Sequence, residues 1–280
     1  MTGPLTAERS SARASSARTV LQITDTHLQA PSPSATPATL LGVDTADSLA
    51  AVLDQALAEH TADAVIASGD LAHAPAIATY ARFRDLLQSR YQGPVLHLAG
   101  NHDLGEPFRQ VLGSDDSLRL GGWEVLCFDT HVDHETEASF DDAQRRMLAA
   151  RIEESAADHV MLACHHHPLP VGCPWLDKDR IPAGDELLEF CAAPELRVRG
   201  LIFGHVHQQF HGSSQGLRVL GTPSTCFQFE PGSERFAIDR DPDTGRPGYR
   251  WLWLHEDGTV TTEVRRLEGY HLNIDLSDRS

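Results

Sequence analysis

Five short stretches carry the side chains best suited to chemistry. They are Asp25-Thr26-His27, Gly69-Asp70, Gly100-Asn101-His102-Asp103, His165-His166-His167 and Gly204-His205-Val206-His207. Asp and His together suit manganese, iron or zinc, whereas an all-oxygen set would suit magnesium or calcium. On an extended segment, residues i and i+2 face the same side, so Asp25 and His27 are expected to grip one ion. His205 and His207 share that spacing and can each reach a different ion. Asp70 has two carboxylate oxygens and can bridge a pair. The set Asp25, His27, Asp70, Asn101, His165, His205 and His207 thus makes two incomplete shells, whose open positions take water and substrate. Two ions about 3.5–4 Å apart clamp the attacking and leaving oxygens of a phosphoryl transfer, and a water between them becomes acidic enough to be hydroxide near neutral pH.

Each of these stretches alone is commonplace and fits an ordinary turn. Their placement changes the reading. Val20–Ile23 precedes Asp25, Ala64–Ala67 precedes Asp70, Val95–Ala99 precedes Asn101, Val160–Ala163 precedes His165, and Leu201–Phe203 precedes His205. Each is a short apolar run of the kind that forms a buried strand. In open α/β sheets, ligands bind where such strands end. Gly100 is expected to let the chain turn sharply and approach the site closely.

The segments between these runs supply the helices. Asp44 or Thr45 caps a helix to about His60, with Leu49, Val52, Leu53, Ala56 and Leu57 at helical spacing. A second helix over about 76–89 is expected to bury Ile77, Tyr80, Phe83 and Leu87. This β-α-β-α-β order implies parallel strands with helical crossovers. In the second half, Trp123–Phe128, His159–Cys164 and Gly200–Phe203 read as strands. Asp141 or Asp142 caps a helix to about Ser155, and another helix lies near Asp185–Cys191. Arg250–His255 and Thr259–Arg265 read as a hairpin around Asp257-Gly258. Trp251 and Trp253 alternate with Leu252 and Leu254, which suits a sheet covered on both faces. The expected architecture is α/β, with two packed sheets flanked by helices. It forms one domain over 19–268, with a disordered tail at 1–18 and a short tail at 269–280.

Composition narrows the partners. The 280 residues are 41% hydrophobic and carry a formal charge of −17. Such a surface repels nucleic acid and anionic membranes, so neither is an expected partner. A small anionic substrate would need a local cationic device, and a metal pair is one. The cysteines number five, with no close CxxC pair, which favours a reducing compartment and a cytoplasmic location. No apolar run approaches a membrane span. The other histidines, His60, His73, His97, His131, His134, His159, His211, His255 and His271, read as surface or core residues. His73, three residues after Asp70, has the lesser reading of a pocket residue. Cys164 reads as a small buried strand residue.

The blocks Asp25-x-His27, Gly69-Asp70, Gly100-Asn101-His102-Asp103, His165 and Gly204-His205-x-His207 resemble those of the calcineurin-like metallophosphoesterases. Longer stretches, Leu21–Leu28, Leu40–Val43, His165–Leu176 and Thr222–Cys226, are similar to the bacterial class III 3′,5′-cyclic AMP phosphodiesterases. The resemblance runs from Val20 to about Leu267 and departs at His73-Ala74-Pro75, where more polar residues are expected. It implies a four-layer α/β/β/α sandwich of two mixed sheets. It implies one ion on Asp25, His27, Asp70 and His207, and another on Asp70, Asn101, His165 and His205, with iron or manganese as the metals. His27, Asn101, His102 and His207 would meet the substrate phosphate. His102 would not be a ligand but the proton donor to the leaving oxygen. Asp103, His166 and His167 would orient ligands from behind. The implied reaction opens cyclic AMP to 5′-AMP by in-line attack of the bridging hydroxide. A sister hydrolase acting on another diester or nucleotide shares the same metals, because fold alone does not decide function. A non-catalytic binding module should have lost ligands, and none is missing.

Overall fold

A computed structural model of the chain describes residues 17–32 and 38–277. The tail expected at 1–18 lies outside the described residues except for positions 17 and 18, and Arg18 already belongs to the first strand. The strands are β1 (Arg18–Ile23), β2 (Ala64–Ser68), β3 (Val95–Leu98), β4 (Ser117–Leu120), β5 (Trp123–Cys127), β6 (His159–Ala163), β7 (Val198–Phe203), β8 (Phe210–Ser214), β9 (Leu217–Gly221), β10 (Gly248–Leu254) and β11 (Val260–Arg266). The α-helices are α1 (Thr45–Glu59), α2 (Ile77–Gln88), α3 (Gly105–Leu112), α4 (Asp142–Glu154) and α5 (Gly184–Cys191).

Local chemistry sets the helix starts. The Asp44 side chain accepts from the amides of Ala46 and Asp47, so Asp44 rather than Thr45 caps α1. Asp141 caps α4 through a capping box with Gln144. Sequence reasoning misses α3 and β4, both short. It also misplaces Ile77, which is 50% exposed. That residue opens α2 ahead of the turn that meets the sheet, whereas Tyr80, Phe83 and Leu87 are buried as expected.

The strands form two mixed sheets, in the orders β11-β10-β1-β2-β3 and β4-β5-β6-β7-β9-β8. β1, β2 and β3 run parallel, as do β5, β6, β7 and β9; antiparallel strands close both edges of the second sheet and one edge of the first, and β3 forms the other edge of the first. The hairpin partners are β10 and β11, with Leu254 opposite Val260. Alternate residues along each strand feed different layers. Val20, Ile66, Leu96 and Leu252 meet Val125, Met161, Ile202 and Leu220 between the sheets. Leu21, Ile23, Val65 and Trp251 face outward under α1, α2 and α3. Leu126, Leu162, Leu201 and Val219 face outward under α4 and α5. With both faces covered, the central strands need continuous apolar sequence. The result is the expected α/β/β/α sandwich.

A polar seam ties the sheets directly below the strand ends. Buried Gln22 donates to Ser68 Oγ at 2.9 Å and to the Phe203 carbonyl at 3.2 Å, and accepts from Thr222 Oγ1 at 2.6 Å. Gly204 completes the approach, since a Cβ there would lie 2.0 Å from Thr24 Oγ1. The segment beyond residue 268 also lies on the domain: Tyr270, Leu272 and Ile274 pack against its apolar clusters. Among the described residues, no helix is long and apolar enough to cross a membrane. All five cysteines are free and buried, Cys164 among them.

Candidate metal centre and its cavity

The C-terminal ends of β1, β2, β3, β6 and β7 converge, and the seven expected donors converge with them. The Asp-x-His geometry differs from the expectation, however. β1 ends at Ile23, and Asp25 and His27 are left-handed, with φ of 51° and 44°. Asp70, His205 and His207 are left-handed too, at 52°, 66° and 48°. A non-glycine residue in this region costs about 1–3 kcal/mol and persists only where its surroundings enforce it. Here the amides of Asp25 and His27 donate to the carbonyls of Gly69 and Asp70, each at 2.9 Å. The two side chains still meet, but through paired turns rather than an extended strand.

The donors fall into two sets around Asp70. In the first, His27 Nε2 lies 3.0 Å from His207 Nε2 and 3.6 Å from Asp70 Oδ2, and His207 Nε2 lies 3.5 Å from Asp25 Oδ1. In the second, His165 Nε2 lies 3.1 Å from Asn101 Oδ1 and 3.4 Å from Asp70 Oδ1, and His205 Nδ1 lies 2.9 Å from Asn101 Oδ1. His205 and His207 therefore serve different sets. Gly100 permits the arrangement by having no side chain rather than by a special turn: a Cβ there would sit 2.2 Å from Asp70 Oδ1.

The donor set fits cations. His207 Nδ1 lies 2.8 Å from the Phe227 carbonyl, and His165 Nδ1 lies 2.9 Å from the Ser68 carbonyl. A carbonyl only accepts, so each Nδ1 carries a proton. In the neutral rings, each Nε2 then turns a lone pair toward other acceptors. Such convergence of lone pairs is repulsive unless positive charge lies among them. Burial pushes His27 and His205 well below the usual imidazole range, so both stay neutral. Burial acts the same way on His165, but the Asp70 carboxylate overrides it and lifts His165 to about 9. For Asp70, burial would raise the carboxyl, yet the facing imidazoles, His165 first, hold it well below the usual carboxylate range.

Behind the donors stand three buried residues. Asp103 Oδ2 accepts from the amides of Gly100 at 2.9 Å and Leu71 at 3.1 Å; Oδ1 accepts from the Ala72 amide and the Tyr80 hydroxyl, both at 3.1 Å. It fastens the loop bearing Asp70 to the loop bearing Asn101. Burial and the Asp70 charge push Asp103 up to about 7, against the pull of those amides. His166 is held by Thr130 at 2.8 Å and packs on the rings of His205 and His165, at 4.7 and 5.0 Å. His167 stacks on His205 at 5.7 Å and faces Asp177 at 3.4 Å.

His102 sits half-buried beside the first set. Its amide donates to Asp70 Oδ1 at 2.8 Å and its ring lies 4.8 Å from that of His27. Above opens a cavity of about 780 Å³, within the range of small-molecule sites. His73 lines it, stacked at 5.1 Å on His102, so it is a cavity residue rather than surface or core. Sequence reasoning also misses Thr136, Asp179, Arg235 and Phe236 in the walls. These come from loops with no apolar run before them, so nothing local marks them.

The chain matches the Calcineurin-like phosphoesterase family over residues 18–209, a span that holds all seven donors. It is 38% identical over 255 residues to the 3′,5′-cyclic adenosine monophosphate phosphodiesterase CpdA of Escherichia coli K12, covering 89% of each chain. It is 34% identical over 261 residues to the protein of that name from Pseudomonas aeruginosa, covering 91% of this chain and 92% of that one. Its fold is similar to that of purple acid phosphatase PPD1 from yellow lupin, with TM-score 0.63 and 13% identity over 92% of this chain and 53% of that chain. A phosphatase from Mycoplasma pneumoniae gives TM-score 0.52 and 13% identity, covering 90% and 94%. Sequence and fold agree: this chain belongs to the calcineurin-like phosphoesterase family.

Proposed function

We propose that this chain hydrolyses 3′,5′-cyclic AMP to 5′-AMP, using two divalent ions. The observation that carries the substrate is identity of 34–38% to phosphodiesterases of that name across about nine-tenths of each chain, far beyond the donor stretches. Asp25, His27, Asp70 and His207 would hold one ion, and Asp70, Asn101, His165 and His205 the other. The mixed donor set suits iron or manganese. When bound, such ions would supply positive charge for the phosphoryl oxygens and make water more acidic.

The chain's own groups do the rest. Hydrolysis adds water across the bond from phosphorus to the ribose 3′ oxygen. His102, with His27, Asn101 and His207, faces the phosphate from the cavity floor, and His102 gives a proton to the departing 3′ oxygen. Asp103, His166 and His167 keep the donors in place. Residues 19–268 form the catalytic unit, along which 269–277 lies. The five free cysteines support a cytoplasmic setting, and the net charge argues against nucleic-acid or membrane partners.

The test is a hydrolysis panel of cyclic nucleotides, linear diesters and monoesters with defined metals. The expected result is a higher kcat/KM for cyclic AMP than for 5′-AMP. A monoester brings one more negative charge near Asp25 and Asp70 and lacks the second ester group. Faster phosphate release from 5′-AMP would make the protein a nucleotidase and refute the reading.

A further inference from the structure

The cavity above the donors has one wall built of aromatic rings. His207 stacks on Phe229 with centroids 4.2 Å apart and planes at 22°. Phe229 meets Trp175 edge-to-face at 4.9 Å and Phe236 at 5.5 Å. Trp175 and Phe236 meet at 5.8 Å. The rings therefore climb from the candidate metal floor to the rim. Phe236, at the top, is 50% exposed and lines the cavity.

An exposed ring on a loose loop would mean little, but this loop is braced. Phe229 pairs with Ile238 across a β-bridge, and the Glu230 amide donates to the Ala237 carbonyl at 2.9 Å. The indole N–H of Trp175 donates to Ser233 Oγ at 3.0 Å, and Ser233 Oγ donates to the Glu230 carbonyl at 2.8 Å. The thiol of Cys173 donates to the Ser233 carbonyl at 3.3 Å. The hairpin 229–238 is thus tied to the 173–175 loop, and Phe236 is held with a ring uncovered. A fixed apolar surface facing an open cavity loses little entropy on taking a flat ligand.

We infer that Phe236, backed by Trp175, is the stacking platform for the nucleobase of the substrate. This rests on the cyclic-nucleotide reading and adds to it which part of the substrate the rim holds. The floor takes the phosphate, and a planar ring system then lies along the aromatic wall. Stacking uses the face of the base rather than its hydrogen-bonding edge, so it favours purines by area and separates adenine from guanine poorly.

The test compares cyclic AMP with a ribose 3′,5′-cyclic phosphate that carries a methoxy group in place of the base. In Phe236→Ala, KM for cyclic AMP should rise about tenfold, as expected for losing one base–aromatic stack. kcat should change little, and KM for the base-free analogue should not move. Phe236→Tyr should restore the wild-type KM. Equilibrium dialysis should show the same selectivity, with weaker binding of 5′-AMP and unaltered binding of ribose 5-phosphate. Equal KM changes for both substrates, or none for either, would overturn the platform. Wild-type protein that leaves cyclic AMP intact yet cuts another diester refutes the substrate reading before any variant is compared, and the platform with it.

Discussion

Replacing Asp103 should test the loop junction behind the metal centre more sharply than replacing any donor. The carboxylate is 1% exposed and accepts four hydrogen bonds, from the amides of Gly100, Leu71 and Ala72 and from the Tyr80 hydroxyl. In Asp103→Asn, one oxygen survives. The better orientation points it at Gly100 and Leu71 and sets the new NH2 against the Ala72 amide, while the Tyr80 hydroxyl can turn and accept. One buried donor is then left unmet, which costs about 1–3 kcal/mol. Asp103→Ala strips all four acceptor contacts. Even at about 1 kcal/mol each, the loss reaches about 4 kcal/mol, a large part of the typical 5–15 kcal/mol of a folded domain. Urea unfolding of the metal-free variants, with circular dichroism as the readout, measures both. The Asn variant should also lose activity out of proportion to its stability, because the loop bearing Asp70 keeps its hold at Leu71 but loses it at Ala72. An Asn variant as stable and as active as the parent would refute the junction.

Asp70→Ala should abolish binding at both ion positions, since both donor sets lose an oxygen; elemental analysis of loaded protein should fall from two equivalents toward none, and a variant keeping one full equivalent would refute the shared role. His102→Ala should retain both ions and lower kcat for cyclic AMP by about 10²–10⁴-fold, the usual contribution of a general acid. A nitrophenyl diester, whose leaving group needs less protonation, should lose less, and an equal loss on both substrates would assign His102 to phosphate binding instead. Gly100→Ala should cripple metal loading, because the added Cβ would lie 2.2 Å from Asp70 Oδ1 and 2.7 Å from His165 Cε1; normal loading would mean the loop yields more easily than its contacts imply.

The sequence by itself determined the layers and the parallel run of strands in the first half, and it singled out seven candidate donors that the fold brings together. Strands covered on both faces must be apolar along their whole length, so Val20–Ile23 and Val160–Ala163 announce themselves. Metal-binding side chains placed where such runs stop are equally visible. The hairpin at Asp257-Gly258 is a local signal and legible for that reason, as are the caps to within one residue, with the structure choosing Asp44 over Thr45 and Asp141 over Asp142. Tertiary structure decided the rest. The left-handed turns at Asp25, His27, Asp70, His205 and His207 depend on bonds between segments far apart in sequence, such as His27 to Asp70, so spacing alone suggested an extended strand. The cavity walls follow the same logic. His73 becomes a cavity residue only because His102 arrives beside it from another strand end. Phe236 faces the cavity only because Trp175, brought in from the loop after β6, braces its hairpin. A side chain's identity is local, but what stands opposite it is set by packing between layers, and that is where donors become a site and a rim becomes a binding surface.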